Sequence, residues 1–187
     1  MRTNTSGKRE RLIAAARDTL YANGVDGTSL ADIAAAADVP LGNVYYYFRT
    51  KDDLVGAVIQ DRLDMAHGLL DSIEAGSADP GQRLKAFFAA LAGDGDEVAR
   101  YGCPFGSLCM ELDKRAEGPG PAADLMRVPI AWIERQFAAL GRPDARDLAM
   151  DAMARYQGAA LLASTLRDPT VMAAAGSRAA AWIDSLA

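Results

Sequence analysis

The sequence has little of the chemistry that metal sites and disulfide scaffolds require. Its 187 residues include one histidine and two cysteines. Cys103 and Cys109 stand six positions apart, which fits neither a CxxC metal site nor a CxxC redox motif. Cysteine this scarce is typical of a reducing cytosol rather than of a disulfide-stabilised secreted protein. We therefore expect a cytoplasmic protein that holds no metal or cofactor.

Long apolar runs are also missing. No stretch of about 18 consecutive apolar residues occurs, although a helix needs that length to cross a bilayer. The first ten residues are polar, and neither the apolar core nor the cleavage site of a secretory signal follows them. These absences predict that the chain has no membrane partner.

Residues that form catalytic centres are scarce. The only histidine, His67, is accompanied by no second histidine, no glycine-rich phosphate loop and no cluster of metal ligands. We therefore expect that the protein is not an enzyme.

Excess positive charge is absent too. The net charge of −5 argues against a protein that binds polyanions non-specifically. The charge is uneven, because the first 60 residues contain seven Lys or Arg and seven Asp or Glu. The net negative charge therefore belongs to the rest of the chain, and a local nucleic-acid contact is compatible with the N-terminal third.

No alternating strand pattern is present, and apolar residues recur at helical spacing between Gly and Pro separators. The sequence predicts an all-α protein. The predicted helices are a first that ends near Asn23-Gly24, a second capped by Thr28 or Ser29, a third opened by Pro40, a fourth capped by Thr50 that runs to about Gly76, and later ones at roughly 80–92, 104–116, 121–140, 143–166 and 169–186.

The second and third predicted helices are separated by a brief turn at Asp38-Val39. Three short helices with this spacing within residues 1–49 have the outline of a helix-turn-helix. Because two helices joined by a turn are common, the outline alone does not identify a DNA-binding protein.

Three consecutive tyrosines on the third predicted helix indicate a contact surface. At 100° per residue, Val44 and Phe48 share the inner stripe, and Tyr46 points away from it. Tyrosine hydroxyls donate to phosphates, and amides read base edges. The residues predicted to face outward are Gly42, Asn43, Tyr45, Tyr46 and Tyr47. The alternative is a small amphipathic helix whose tyrosines lie over a neighbouring element.

The stretch "TSLADIAAAADVPLGNVYYYFRTKDDL" resembles the DNA-binding segment of the TetR/AcrR family of transcriptional regulators, and the resemblance covers residues 8–56. This chain departs from the family pattern at Asp38, where glycine is usual, at Pro40, where serine or threonine is usual, and at Leu41, where a polar residue is frequent. The matching positions are Thr28, Ser29, Ile33, Ala34, Ala37, Val39, Gly42, Val44, Tyr45, Phe48, Lys51, Asp52 and Leu54.

The resemblance implies an N-terminal three-helix helix-turn-helix DNA-binding domain, residues 1–50, and a C-terminal helical effector-binding and dimerisation domain, residues 51–187. It implies a homodimeric repressor that leaves a palindromic double-stranded operator when a small-molecule effector binds. The implied phosphate contacts are Thr28, Ser29, Tyr45, Tyr47 and Lys51. The residues implied to face bases or sugars are Gly42, Asn43 and Tyr46, and Leu41 joins this DNA-binding surface at the helix start.

The expected effector is largely apolar, because few charged residues interrupt the inner faces of the later helices. Aromatic and methionine side chains at helical spacing are also typical of a plain core, so each candidate has that alternative. The predicted effector-binding residues are Phe87, Tyr101, Cys103, Phe105, Met110, Trp132, Met153 and Tyr156.

Each of the last two predicted helices carries a row of residues, here called a stripe, that recurs at helical spacing. These stripes suit close helix packing across a dimer interface. The alternative is that both stripes pack within one subunit. The stripes are Ala145, Ala149, Ala152, Tyr156, Ala159, Ala160 and Ala163 on the first, and Val171, Ala175, Arg178, Ala179, Trp182 and Ile183 on the second.

Two further hypotheses stay open. The chain is a helical ligand carrier or enzyme that happens to contain a helix-turn-helix, or it is a redox or electrophile sensor that uses Cys103. Cys103 precedes Pro104 and is expected at a helix N-terminus, where the dipole favours a reactive thiolate.

Overall fold

The computed structural model describes residues 5–114 and 120–186, and these residues form helices without strands. The all-α prediction is confirmed. The helices are α1 (Thr5–Asn23), α2 (Leu30–Ala36), α3 (Leu41–Tyr47), α4 (Lys51–Gly76), α5 (Pro80–Gly93), α6 (Gly95–Tyr101), α7 (Pro104–Asp113), α8 (Asp124–Ala139), α9 (Ala145–Leu166) and α10 (Thr170–Asp184), with a 3-10 turn at Pro121–Ala123. None of these helices is both long and apolar enough to cross a membrane.

The chain folds into two compact units. The first contains the described residues up to 64 and those between 107 and 125, and the second contains residues 65–106 and 126–186. The first unit therefore includes the described part of the predicted domain 1–50 and, in addition, part of α4 and most of α7. The functional division at residue 50 stays a prediction.

The first unit is built around an apolar core contributed by its short helices. Leu12 of α1, Ile33 of α2, Val44 of α3 and Leu54 of α4 are all fully buried. Burial of side chains this size stabilises the unit by roughly 1.5–3 kcal/mol each. The predicted inner stripe of the third helix is confirmed, because Phe48 is buried beside Val44.

Local capping determines where the first helices begin. Ser29 forms a capping box with Asp32 at the start of α2. Thr50 accepts a hydrogen bond from the backbone N–H of Asp53, and its own N–H donates to the Asp53 carboxylate. The predicted caps of the second and fourth helices are thus confirmed, whereas Pro40 is the N-cap of α3 rather than its first residue.

The second unit has a larger core in which α10 packs on α5 and α9. The residues that were predicted to form a dimer stripe on α9 are buried inside this core. On α10, Val171, Ala175, Ala179, Trp182 and Ile183 also pack against it. The prediction that the α9 stripe faces a partner subunit is wrong, because the core of its own chain covers it. Four of the α10 stripe residues are only partly buried and Arg178 is exposed, so a partner contact by that stripe stays a prediction.

The helix α6 was not predicted, because Gly93-Asp94-Gly95 resembles a loop. Gly95 is instead buried at the start of α6. A Cβ at this position would stand 3.2 Å from the carbonyl oxygen of Pro169. The glycine therefore allows the start of α6 to pack closely against the segment before α10, and it does not mark a loop.

The four helices that the structure describes after α6 are shorter than predicted. α7 ends at Asp113, and the predicted end at residue 116 lies outside the described residues. α8 begins at Asp124, because residues 121–123 form the 3-10 turn. α9 begins at Ala145, and α10 spans Thr170–Asp184.

Candidate DNA-binding surface and ligand cavity

The turn between α2 and α3 is a Schellman motif. The N–H of Asp38 donates to the carbonyl of Ala35, and the N–H of Val39 donates to that of Ala34. Asp38 has a φ of 51°, in the left-handed region. This conformation explains why the family pattern has glycine here, and aspartate is among the few other residues that adopt it readily.

α3 presents its tyrosines outward as the helical spacing predicts. Tyr46 is 77% exposed and Tyr45 is 55% exposed, whereas Tyr47 is half-buried and its ring contacts that of Tyr46 edge to face at 5.0 Å. Gly42 is exposed and has no atom near the position of a Cβ. Asn43 is half-buried at the flank of this face.

An open groove brings several of the predicted DNA-binding residues together. It is lined by the segment from Asp26 to Asp32 and by side chains from α3 and the start of α4. The predicted residues that line it are Thr28, Ser29, Leu41, Tyr45 and Lys51.

Three of these residues have internal hydrogen bonds. Thr28 is buried, and its hydroxyl donates to the carbonyl of Gly24 at 2.8 Å. The Ser29 hydroxyl donates to the Asp32 carboxylate at 2.6 Å, and the ammonium of Lys51 donates to the carbonyl of Val25. The predicted phosphate contact by the Thr28 side chain is at odds with this burial, because its hydroxyl already stabilises the loop.

A cation that was not predicted as a contact lies beside the end of α3. The guanidinium of Arg9, an exposed residue of α1, stands 5.4 Å from the centroid of the Phe48 ring. Arg9 belongs to the basic run Lys8-Arg9, whose charge was visible in the sequence. Its placement depends on how α1 packs, so sequence spacing could not assign it to this surface.

The second unit contains a partly open, apolar cavity of about 70 Å³. Five of the eight predicted effector-binding residues line it, namely Phe87, Cys103, Phe105, Met153 and Tyr156. The other lining residues are Ala66, Leu69, Leu70, Leu91, Pro104, Pro129 and Gln157.

The three remaining candidates lie elsewhere. Trp132 is buried in the core, with its ring centroid 5.5 Å from that of Phe87 and its indole N–H donating to Glu74 at 2.7 Å. Tyr101 and Met110 are exposed and do not line the cavity, because helical spacing identifies aromatic and methionine positions without giving the direction of each helix.

Gln157 is the lining residue that sequence reasoning missed. Its Nε2 lies 3.4 Å from the Sγ of Cys103 and 3.6 Å from the Sδ of Met126. The backbone N–H of Gly106 also donates to Cys103 Sγ at 3.4 Å. The sequence could have indicated it, because Gln157 is a polar residue between Tyr156 and Gly158 on an alanine-rich helix.

The described residues contain no group of three or more His, Cys, Asp or Glu side chains placed to hold a metal ion. Both cysteines are buried thiols, and within the described part of the chain neither is in a disulfide. The Sγ of Cys109 donates to the carbonyl of Ala122 at 3.1 Å, within the first unit.

Known proteins resemble this chain along most of its length. The HTH-type transcriptional repressor DhaR of Mycobacterium sp. (strain GP1) is 27% identical over 164 residues, which are 82% of this chain and 80% of that protein. A regulatory protein TetR from Rhodobacter sphaeroides has a TM-score of 0.76 at 27% identity, covering 91% of this chain and 96% of its own. A TetR-family regulator from Agrobacterium tumefaciens shares the fold with a TM-score of 0.83 at 22% identity, covering 94% and 96% of the two chains.

The family model of the bacterial regulatory proteins of the tetR family matches residues 12–58, which span α2, the Schellman turn and α3. Together with the relatives and solved structures, this match accounts for both the helix-turn-helix and the helical remainder. Residues 12–58 thus match the DNA-binding domain of the tetR family, and the chain as a whole resembles TetR-family transcriptional regulators.

Proposed function

We propose that the protein is a homodimeric repressor that binds a palindromic operator and leaves it when a small, largely apolar effector binds. The observation that carries the proposal is the outward face of α3, where Gly42, Tyr45 and Tyr46 are exposed directly after the Schellman turn. Such a helix is too small to select a site alone, so two copies reading two half-sites are needed. A regulator of this kind works in the bacterial cytoplasm, where the operator is.

The proposed DNA contacts divide by chemistry. Gly42, Asn43 and Tyr46 face bases or sugars, whereas Tyr45 and Tyr47 donate to phosphates. Leu41, which is 42% exposed at the start of α3, makes an apolar contact in the same groove. Ser29 and Lys51 contribute phosphate contacts if their internal bonds to Asp32 and Val25 are exchanged on binding.

The proposed dimer uses the outer face of α9. Met150, Leu161, Leu162 and Leu166 are between 47% and 64% exposed. Met150 and Leu161 lie on the side of the helix opposite the buried alanines, and Leu162 and Leu166 lie toward one flank of that side. Large apolar side chains grouped on a solvent-facing helix mark an interaction surface. The DhaR relative is named a transcriptional repressor, which supports repression as the outcome of DNA binding.

The experiment is an electrophoretic mobility shift of the purified protein on the DNA immediately upstream of its own gene, across a salt series. We expect a salt-sensitive complex with a palindromic footprint. Asn43→Ala combined with Tyr46→Ala should abolish operator binding and leave the fold and the dimer intact. Unchanged operator binding by this double variant would contradict the assigned face of α3.

A carrier or enzyme with an incidental helix-turn-helix predicts a different result. Neither the upstream DNA nor any sequence recovered by selection from random DNA would then bind specifically. The same protein would still take up an apolar ligand in the cavity of the second unit.

A second candidate is thiol sensing by Cys103. The observation that favours it is that two N–H groups, from Gly106 and Gln157, point at the Cys103 sulfur inside a cavity. On this hypothesis Cys103→Ser abolishes release from the operator by an oxidant and spares release by a non-reactive ligand. Equal sensitivity of the variant and the wild type to the oxidant would exclude it.

A further inference from the structure

The carboxamide of Gln157 has unusually weak partners. The cavity that it borders is otherwise lined mainly by apolar side chains, together with the thiol of Cys103 and the phenol of Tyr156. Both hydrogen bonds that its Nε2 makes go to sulfur, the thiol of Cys103 and the thioether of Met126. Sulfur accepts hydrogen bonds weakly, so an oxygen acceptor in the cavity would be a better partner for the same N–H groups.

The position of the carboxamide is defined by the first turn of α7. A Cβ added to Gly106 would stand 2.7 Å from Gln157 Oε1, closer than a carbon and an oxygen can approach. The glycine therefore leaves the space that the carboxamide occupies. Because Pro104 and Phe105 of the same turn line the cavity, the amide lies at its wall rather than in the surrounding core.

The size of the cavity restricts the ligand. Its volume of about 70 Å³ is several times the roughly 10–15 Å³ that one water molecule needs, which suits a small ligand. The lining side chains of Leu70, Phe87 and Met153 favour an apolar body.

We propose that Gln157 is the specificity-determining residue for the effector, and that the effector is a small apolar ketone or aldehyde whose carbonyl oxygen accepts a hydrogen bond from Gln157 Nε2. The carbonyl oxygen replaces the two sulfur atoms as the acceptor, and the hydrocarbon part fills the cavity. The inference rests on the proposed function, since it names the chemical class of the effector of that same site.

The test compares cyclohexanone with methylenecyclohexane, which has the same shape but carries C=CH2 in place of C=O. Dissociation constants for both are measured on the full-length protein without DNA, by NMR of ¹³C-labelled methionine methyl groups. Met153 lines this cavity, whereas Met172 lines a separate cavity of about 110 Å³ between α5, α9 and α10. The two methyl signals therefore report which cavity is occupied.

The informative variant is Gln157→Leu, which keeps the side-chain volume and removes the donor. Cyclohexanone should shift the Met153 signal of the wild type, and the variant should bind it roughly five- to tenfold more weakly. Binding of methylenecyclohexane should be unchanged or tighter in the variant. Gln82→Leu, at an exposed position of α5, is the matched control and should bind both probes as the wild type does.

A second variant keeps the inference falsifiable if Gln157→Leu does not fold. Gly106→Ala displaces the carboxamide without changing it, and it should also weaken cyclohexanone more than methylenecyclohexane. Equal effects of either variant on both probes would overturn the inference. So would the absence of cyclohexanone binding by the wild type, or a shift at Met172 without one at Met153.

Operator release is measured separately with the same ketone in the mobility-shift assay. Gln157-dependent ketone binding without release from a bound operator would leave this site standing and contradict the ligand-responsive part of the proposed function. Operator binding and release that are identical in wild type and Gln157→Leu would leave the regulator standing and overturn the inference.

Discussion

The carboxylate of Glu111 accepts a hydrogen bond from the backbone N–H of Val25 at 2.5 Å. Val25 is fully buried in the loop between α1 and α2, and its carbonyl accepts a hydrogen bond from Lys51. Both polar groups of this residue are thus bonded to side chains that are distant in sequence. The loop leads directly into Thr28 and Ser29, so α7 helps to position the start of the helix-turn-helix.

Removing the Glu111 carboxylate should destabilise the first unit. Glu111→Ala leaves the buried N–H of Val25 without its acceptor, which costs about 1–3 kcal/mol. We expect a lower free energy of unfolding in urea and weaker operator binding. Glu111→Gln retains an acceptor oxygen and should recover most of both. Equal losses in the two variants would mean that charge, and not the hydrogen bond to Val25, is what matters.

The left-handed conformation of Asp38 predicts how two substitutions change the free energy of unfolding. Asp38→Ala should lower the free energy of unfolding by about 1 kcal/mol, because alanine tolerates this conformation poorly. Asp38→Gly should be neutral or stabilising, because glycine adopts it without steric cost. The measurement is urea unfolding followed by circular dichroism. A destabilised glycine variant would show that the Asp38 side chain contributes more than its backbone conformation does.

Arg9 should act on DNA affinity without acting on sequence preference. If its guanidinium contacts a phosphate, Arg9→Ala weakens binding to operator and unrelated DNA alike, and the salt dependence of the logarithm of affinity falls by about one unit. Arg127→Ala, which changes an exposed arginine of α8 in the second unit, is the control with the same change in charge. A loss confined to the operator would assign Arg9 a base-reading role instead.

The exposed face of α9 predicts a specific effect on association. Leu161→Asp places a charge in the proposed interface and should convert the dimer to a monomer in sedimentation velocity experiments. Met110→Asp is the control, because Met110 is 65% exposed and Leu161 is 64% exposed, yet Met110 lies on α7. A dimer that survives Leu161→Asp would place the interface elsewhere.

Asp32 predicts a pH dependence of stability. The Ser29 hydroxyl, and then the Ser29 backbone N–H, donate to its carboxylate and hold the pKa of Asp32 below the ordinary value of 3.8. A lowered pKa stabilises the fold above pH 3.8, and the contribution is lost as the pH falls through the folded-state pKa.

The measurement compares the wild type with Asp32→Ala in urea at neutral pH and at successively lower pH. The difference in free energy of unfolding should shrink below pH 3.8. Ser29→Ala removes the principal donor and should remove most of that pH dependence. A difference that stays constant across the range would mean that Asp32 acts only through its shape or helix propensity.

Much of the first unit was predictable because its signals are local. A cap such as Ser29 bonds within its own turn, and the inner position of Val44 follows from helical spacing alone. The same spacing placed Tyr46 on the outside. In the second unit, helical spacing identified apolar positions but not the residues that each of them contacts. Tyr101 and Met110 were therefore assigned to a cavity that they do not line.

The sequence by itself determined the all-α class, the caps of α2 and α4, the outward tyrosines and the resemblance of the N-terminal segment to TetR-family regulators. These depend on interactions within a few residues, or on a motif with fixed spacing. Tertiary structure alone decided that the α9 alanines face inward, that Glu111 bonds to Val25, and that Gln157 meets Cys103 in a cavity. Each of these is a contact between residues more than fifty positions apart or a helix orientation chosen by packing, and no local pattern encodes such choices.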